Sequence, residues 1–191
     1  MERTPFDEKI ETERLILKRY DVTFETAIML YNTIKKNWDF LTRFLDCMLK
    51  TQTPEDEYAF LLRQNEKWEN MEAPAYAIWT KDGNFIGACD FHSVDYDLPS
   101  AEIGYWLAEE YTGKGYITEA LKAMEDNFFK RGFNRLTVVM DTENTPSEKV
   151  AIRLGYQKEG IMRESHYSPI FKSYRDLYLY SKLKREWEKE R

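Results

Sequence analysis

The sequence predicts an α/β fold, a mixed and mostly antiparallel sheet of about seven strands with helices on both faces. Three observations lead there. Short apolar and β-branched runs alternate with amphipathic stretches along the whole chain. Two Thr-Pro signatures, Thr53-Pro54-Glu55-Asp56 and Thr145-Pro146-Ser147-Glu148, open helices with a capping hydroxyl, an early proline and acids in the first turn. A strand-like run, Ser100 to Ala108, passes through the glycine-flanked Lys114 directly into a helical pattern.

The elements follow in order. Glu11 to Arg19 alternates as a strand, then Val22 to Tyr31 and Asn37 to Leu45 read as short helices. Thr53 opens a helix to about Asn70 with Tyr58, Leu61, Leu62, Asn65 and Trp68 on one face. Ala75 to Thr80 and Phe85 to Phe91 form a hairpin around Lys81-Asp82-Gly83-Asn84. After the strand Ser100 to Ala108, the residues Ile117, Ala120, Leu121, Met124 and Phe128 share a helical face that Gly132 ends. Leu136 to Met140 reads as a buried strand. Thr145 is expected to cap the next helix, with Glu148 reaching back, and Gly155 to close it. Strands at Gln157 to Tyr167 and Ser173 to Leu183 precede a charged tail.

At 191 residues the chain suits one domain over 1–191, with a core over about 11–187. The net charge of −6 and the lack of a basic block argue against a nucleic-acid surface. No apolar run approaches a membrane span, the first residues lack a signal-peptide shape, and Cys47 and Cys89 form no disulfide framework, so a cytoplasmic protein is expected. With only His92 and His166, far apart in sequence, no metal site is expected.

The Gly113-Lys114-Gly115 turn carries the chemistry. A strand turning tightly into a helix aims unpaired N–H groups and the positive end of the helix dipole at one point, which suits a phosphate or pyrophosphate. Glycine lets a ligand approach the main chain and allows positive φ. The same pattern also serves as a plain tight turn. The spacing fits neither a P-loop nor the dinucleotide fingerprint: Glu110 and Tyr111 stand about five residues before Gly115 where the former needs glycine, and Glu119 and Ala120 follow where the latter needs small residues.

Five segments, TERLILKRY, AEIGYWL, TGKGYITEAL, NTPSEKVAIRLGYQKEG and YRDLYLYSKLKREW, occur in an order that resembles the GNAT family of N-acetyltransferases, RimJ/RimL-like branch. The resemblance spans Glu11 to Trp187. It implies an acetyl-CoA site with the pyrophosphate on Thr112, Gly113, Lys114, Gly115, Tyr116, Ile117 and Thr118. The pantetheine arm would pair beside Tyr105, Trp106, Leu107 and Ala108 where two central strands splay near Trp106 and Met140. Asn144 matches a position that holds the arm or the next helix. Thr112 and Ile117 depart from the family pattern at the ends of the cofactor motif, and the helical register puts Ile117 on the core face.

Transfer to an amine requires a base, a polarised carbonyl and a stabilised leaving thiolate. The resemblance offers Glu102 and His166 as alternative bases, Leu107 N–H as the oxyanion donor, and Ser147 in place of a leaving-group tyrosine whose position holds Ala151. Histidine, with an ordinary pKa of about 6.5, suits proton transfer near neutrality. Glu102, Asp90 and Asp95 are candidate acids for drawing in a cationic amine, and Trp38, Phe40 and Phe44 candidate walls of its pocket. The acceptor implied is a protein N-terminal α-amine or a small-molecule amine, reached by direct attack in a ternary complex, and a homodimer is possible. A non-catalytic acyl-CoA-binding regulator on the same fold and a scaffold without cofactor stay open beside it.

Overall fold

The computed structural model describes residues 1–191. Its strands are β1 (Lys9–Glu11), β2 (Leu15–Arg19), β3 (Ala75–Thr80), β4 (Phe85–Asp95), β5 (Ser100–Leu107), β6 (Arg135–Asp141), β7 (Gln157–Ser168) and β8 (Ser173–Leu183). The helices are α1 (Phe24–Lys36), α2 (Trp38–Thr42), α3 (Pro54–Glu69), α4 (Tyr116–Lys130), α5 (Thr145–Arg153) and α6 (Lys184–Lys189), with a 3-10 turn at Asp46–Lys50. The strands form one sheet in the order β1-β2-β3-β4-β5-β6-β8-β7. Every neighbouring pair is antiparallel except β5 and β6.

The sheet has eight strands because the first expected strand breaks in two. Thr12 Oγ1 accepts the Leu15 N–H at 2.9 Å, and this local bond replaces a ladder bond at that point. α3 begins as its sequence dictates: Thr53 accepts the Asp56 N–H while the Asp56 carboxylate takes the Thr53 N–H. α5 differs by one residue. Asn144, not Thr145, caps it by accepting the Ser147 N–H, and Glu148 binds the Tyr180 hydroxyl at 2.6 Å and Lys158 at 3.1 Å instead of reaching back. An Asn side chain satisfies the orphan N–H as well as Thr does, so the Pro position alone left the register open.

α4 lays Ala120, Leu121, Met124 and Phe128, all fully buried, on one face of the sheet. Phe128 stacks on Phe91 of β4 and on Phe133, with ring centroids 4.7 and 3.9 Å apart. Each such side chain contributes about 1.5–3 kcal/mol by leaving water. Ile117 packs against this core, as its register requires. On the opposite face Ala27 and Leu30 of α1 and Leu61 of α3 rest on Ala75, Ala77 and Ala88. Those small strand residues let the helices sit close. Leu62 on the expected apolar face of α3 is half exposed, while Glu57 is buried with its carboxylate accepting from Thr51.

The charged tail forms α6. Trp187 packs 5.5 Å from the Phe129 ring and donates Nε1–H to Asp126. A single anchor gives no periodicity, so the sequence does not announce this helix. No helix of the structure is long and apolar enough to cross a membrane.

Candidate active site

β5 and β6 run parallel and pair only from Ser100 to Glu102 against Arg135 to Thr137. Beyond Glu102 the strands part. Ala108 donates its N–H to Ile86 in β4, so by strand alternation the amides of Leu107 and Tyr105 point the other way, into the opening. Leu107 and Ala108 are buried there, and Trp106 is half-buried with its ring 5.8 Å from that of Phe85 on the helix side.

The chain leaves β5 through one short 3-10 turn and reaches Gly113 and Gly115, both with positive φ, +72° and +80°. The N–H groups from Gly113 through Thr118 donate to nothing in the protein, as expected for a turn that feeds a helix start. A Cβ at Gly113 would meet only open space, so the approach to these donors is unobstructed. Thr112 turns its hydroxyl back to the Glu109 carbonyl at 2.7 Å. The exposed Lys114 side chain lies 5.4 Å over the Tyr111 ring.

Side chains outside the motif hold this turn. The Glu119 carboxylate in the first turn of α4 accepts from Thr12 Oγ1, Arg14 N–H and Arg14 Nε. Arg14 also donates to the Lys114 carbonyl and lies 4.6 Å over the Tyr116 ring. Burial opposes ionisation of Glu119, but the Thr12 and Arg14 bonds win and hold its carboxyl below the ordinary range. From α5, Arg153 Nη1 donates to Thr118 Oγ1 at 3.1 Å, adding a cation at the same helix start. The break between β1 and β2 thus exists at the spot where it anchors α4. Neither arginine's contact carries a signal in the sequence, because both contacts span the fold.

Two histidine–carboxylate groups lie on the sheet. His92 of β4 stands 3.2 Å from Glu102 on β5 and 3.5 Å from Asp90. The Asp90 bond, then the Glu102 bond, push the imidazole up to about 10, against the effect of burial. A Cβ at Gly104 would collide with Asp90 Oδ1, so the glycine makes room for these side chains over β5. His166 of β7 bonds Asp46 through Nε2 at 2.7 Å. Asp46, His166 and Ser168 line a cavity of about 180 Å³ with Phe44, Val139, Met140 and Asp141 at the parted end of β6. Arg175 holds Asp141 at 2.8 and 3.1 Å and keeps its carboxyl low against the pull of burial.

Each histidine sits beside an irregularity. The β4–β5 register shifts after His92 with Ser93 at φ +52°, and the β7–β8 register shifts before His166 with Glu164 at φ +50°. Bulges with left-handed non-glycine residues re-aim neighbouring side chains.

Ser147, half-buried at the start of α5, hydrogen-bonds the Tyr105 phenol at 2.7 Å. Asn144 is occupied in capping α5. Ala151 is buried, and no tyrosine from α5 enters this region. Of the expected pocket walls, Phe44 lines the cavity; Phe40 is 40% exposed and outside it, and Trp38 packs under Lys35, 3.7 Å away. Asp95 accepts the N–H groups of Asp97 and Leu98 and shapes the β4–β5 turn. The sequence reading names His92 and Tyr105 but misses their contacts with Glu102 and Ser147, although hairpin register around that turn pairs 92 with 102.

Residues 14–157 match the acetyltransferase (GNAT) domain family. The chain belongs to this family. The N-acetyltransferase p20 of Bacillus licheniformis is 29% identical over 94% of this chain and 98% of its own. The ribosomal-protein-serine acetyltransferase of Escherichia coli is 28% identical over 81% of this chain and 85% of its own. The putative ribosomal N-acetyltransferase YdaF of Bacillus subtilis is 38% identical over 58% of this chain and 60% of its own. Among solved structures, RimL, a ribosomal L7/L12 alpha-N-protein acetyltransferase bound to coenzyme A, superposes with a TM-score of 0.86 at 24% identity, covering 92% of this chain and 98% of that one.

This GNAT protein is therefore an acetyl-CoA-dependent N-acetyltransferase. The GNAT domain match runs from Arg14, which pins the glycine turn, through the splay to the first residue of β7.

Proposed function

We propose that this chain, as a single acetyltransferase domain, moves the acetyl group of acetyl-CoA to the α-amine of a protein N-terminus by direct attack. The observation that carries the reading is the unpaired N–H array from Gly113 to Thr118 at the mouth of the β5–β6 splay. Oriented backbone donors at a helix start suit a pyrophosphate, and charge-assisted bonds are the strong kind. Trp106, Leu107 and Ala108 offer the strand edge for the pantetheine amides, with the Leu107 N–H aimed to stabilise the developing oxyanion. Gly113 through Thr118 hold the phosphates, Thr112 closes the preceding turn on the Glu109 carbonyl, Asn144 sets the α5 start, and Lys114 adds a nearby cation.

On the acceptor side, His166 takes the proton from the amine. The Asp46 carboxylate makes Nε2 the donor, which leaves Nδ1 free to accept, and it stabilises the imidazolium that forms. The cavity beside Val139 and Met140 supports this choice over Glu102, which is engaged by the charged His92. Glu102 and Asp90 instead draw the ammonium in by charge. Ser147 faces the departing sulfur. Similarity to the ribosomal-protein acetyltransferases supports a protein N-terminus as acceptor over a small amine.

Free-thiol release from acetyl-CoA, measured across serine- and alanine-initiated basic peptides, polyamines, amino acids and aminoglycosides, tests the reading. Release with the peptides is expected. Release only with a small amine overturns the acceptor, and no release with any of them overturns the activity. With an active acceptor, His166→Ala is expected to lower kcat by about 10²-fold. Glu102→Gln is expected to act mainly on KM. If Glu102→Gln lowers kcat to that extent and His166→Ala does not, the base is Glu102.

A further inference from the structure

We infer that Tyr105 is a positioning residue for the leaving group: its phenol donates to Ser147 Oγ and so frees the serine proton to hydrogen-bond the CoA sulfur. The inference rests on the acetyl-transfer reading of this site. Its ground is a contact between two elements that the splay brings together. Tyr105 lies on β5 in the part that has lost its β6 partner, and Ser147 opens α5. Their hydroxyl oxygens are 2.7 Å apart. The Ser147 carbonyl is a longer alternative acceptor for the phenol at 3.3 Å.

The direction of the bond decides what it does. Two hydroxyls facing each other share one of their two protons. If Tyr105 donates, Ser147 keeps its own proton for a third group, and accepting a bond makes the serine a better donor. Burial pushes the Tyr105 phenol up to about 12, with the Ser147 bond working against that rise, so the phenol stays protonated across the working pH range. Tyr105 is thus a donor that does not itself titrate near neutrality. Ser147 is fixed from the other side too, since its N–H is held by the Asn144 side chain at 3.2 Å. The cap fixes the serine backbone and Tyr105 holds its hydroxyl before any ligand arrives.

In the reaction the amine nitrogen bonds the acetyl carbon and the C–S bond breaks, with its electron pair passing to sulfur. Of the protons that the ammonium loses, one leaves through the base. The second, lost from nitrogen as the tetrahedral intermediate collapses, neutralises the thiolate. Ser147 carries the sulfur's charge by hydrogen bonding in the interval, and Tyr105 keeps Ser147 turned to do so. No proton is gained or lost by the tyrosine over the cycle. The arrangement supplies from β5 a phenol that α5 lacks, since Ala151 stands where it would carry one.

The test uses CoA itself as probe. The thiolate of enzyme-bound CoA is titrated by its ultraviolet absorbance in the wild type, Tyr105→Phe, Ser147→Ala and the double variant. A bond to a charged acceptor at this site is expected to lower the bound thiol's midpoint, and Tyr105→Phe to raise it by about one pH unit, a tenfold change. Because Tyr105 acts through Ser147, the double variant is expected to match Ser147→Ala alone. With a working acceptor, Tyr105→Phe lowers kcat about tenfold at unchanged acetyl-CoA KM. A midpoint equal in wild type and Tyr105→Phe overturns the inference, as does a Tyr105→Phe effect that persists in full without Ser147. Thermal melts of the CoA complexes separate misfolding from either result. Failure of the wild type to bind CoA strikes the acetyl-transfer reading itself.

Discussion

His92 Nε2 lies 3.2 Å from Glu102 Oε1 across the β4–β5 ladder, and its Nδ1 lies 3.5 Å from Asp90. The pair makes the imidazole a cation at neutral pH, raised to about 10 by the Asp90 bond and then the Glu102 bond. A base whose folded pKa lies above its unfolded value stabilises the fold fully below the unfolded value. That contribution fades as pH rises through the folded one. The melting temperature of the wild type should therefore fall more steeply between pH 6.5 and 10 than that of His92→Gln. Parallel curves would refute the coupling.

Gly113 and Gly115 hold positive φ, which costs a residue with a Cβ about 1–2 kcal/mol. Gly113→Ala is expected to lower stability by about 1 kcal/mol and to weaken CoA binding at least tenfold, because the new methyl enters the approach to the free N–H groups. Gly83 in the β3–β4 turn has φ +83° and open space around it. Gly83→Ala should thus cost similar stability and leave CoA binding unchanged. Calorimetric titration of both variants with CoA checks the contrast; equal CoA affinity in the two would separate the glycine turn from the ligand.

Glu119 ties α4 to the break between β1 and β2 through Thr12 and Arg14. Loss of its charge-assisted bonds in Glu119→Ala is expected to cost about 1.5–3 kcal/mol at pH 7. The turn it holds should loosen as well, and with it CoA affinity. A carboxyl held below its ordinary range stabilises above its unfolded pKa and loses that contribution as pH falls through the folded one. The stability gap between wild type and Glu119→Ala should accordingly narrow in acid. Urea titrations at neutral and acidic pH measure it, and a gap that widens in acid contradicts the assignment.

Lys182 is 2% exposed and meets Glu125 at 3.4 Å, the Leu154 carbonyl at 2.7 Å and Glu190 at 2.7 Å. Burial pushes the Glu125 carboxyl up to about 7 in spite of the lysine. Lys182→Met strands that buried carboxyl and should destabilise the fold by about 3–5 kcal/mol. Adding Glu125→Leu should recover much of the loss. Equilibrium unfolding of the two variants decides between this and a lysine that serves only α6, for which the second substitution would restore nothing.

What the sequence determined by itself is local. The Thr53 cap, the Gly83 turn, the face of α4 and the Gly113–Gly115 entry to that helix all arise from short-range rules of sterics, capping and periodicity, and the structure shows them where those rules put them. Asn144 took the cap expected of Thr145 because adjacent residues satisfy the same rule. Tertiary structure decided what meets across the sheet. His92 joins Glu102 through hairpin register, Asp46 reaches His166, Tyr105 reaches Ser147, and Arg14 reaches Glu119. Apart from His92 and Glu102, which the hairpin register sets opposite each other, these pairs carry no local signal, because nothing in either residue's neighbourhood specifies its partner. Strand order and the parting of β5 from β6 create them, and both are settled only when the whole core packs.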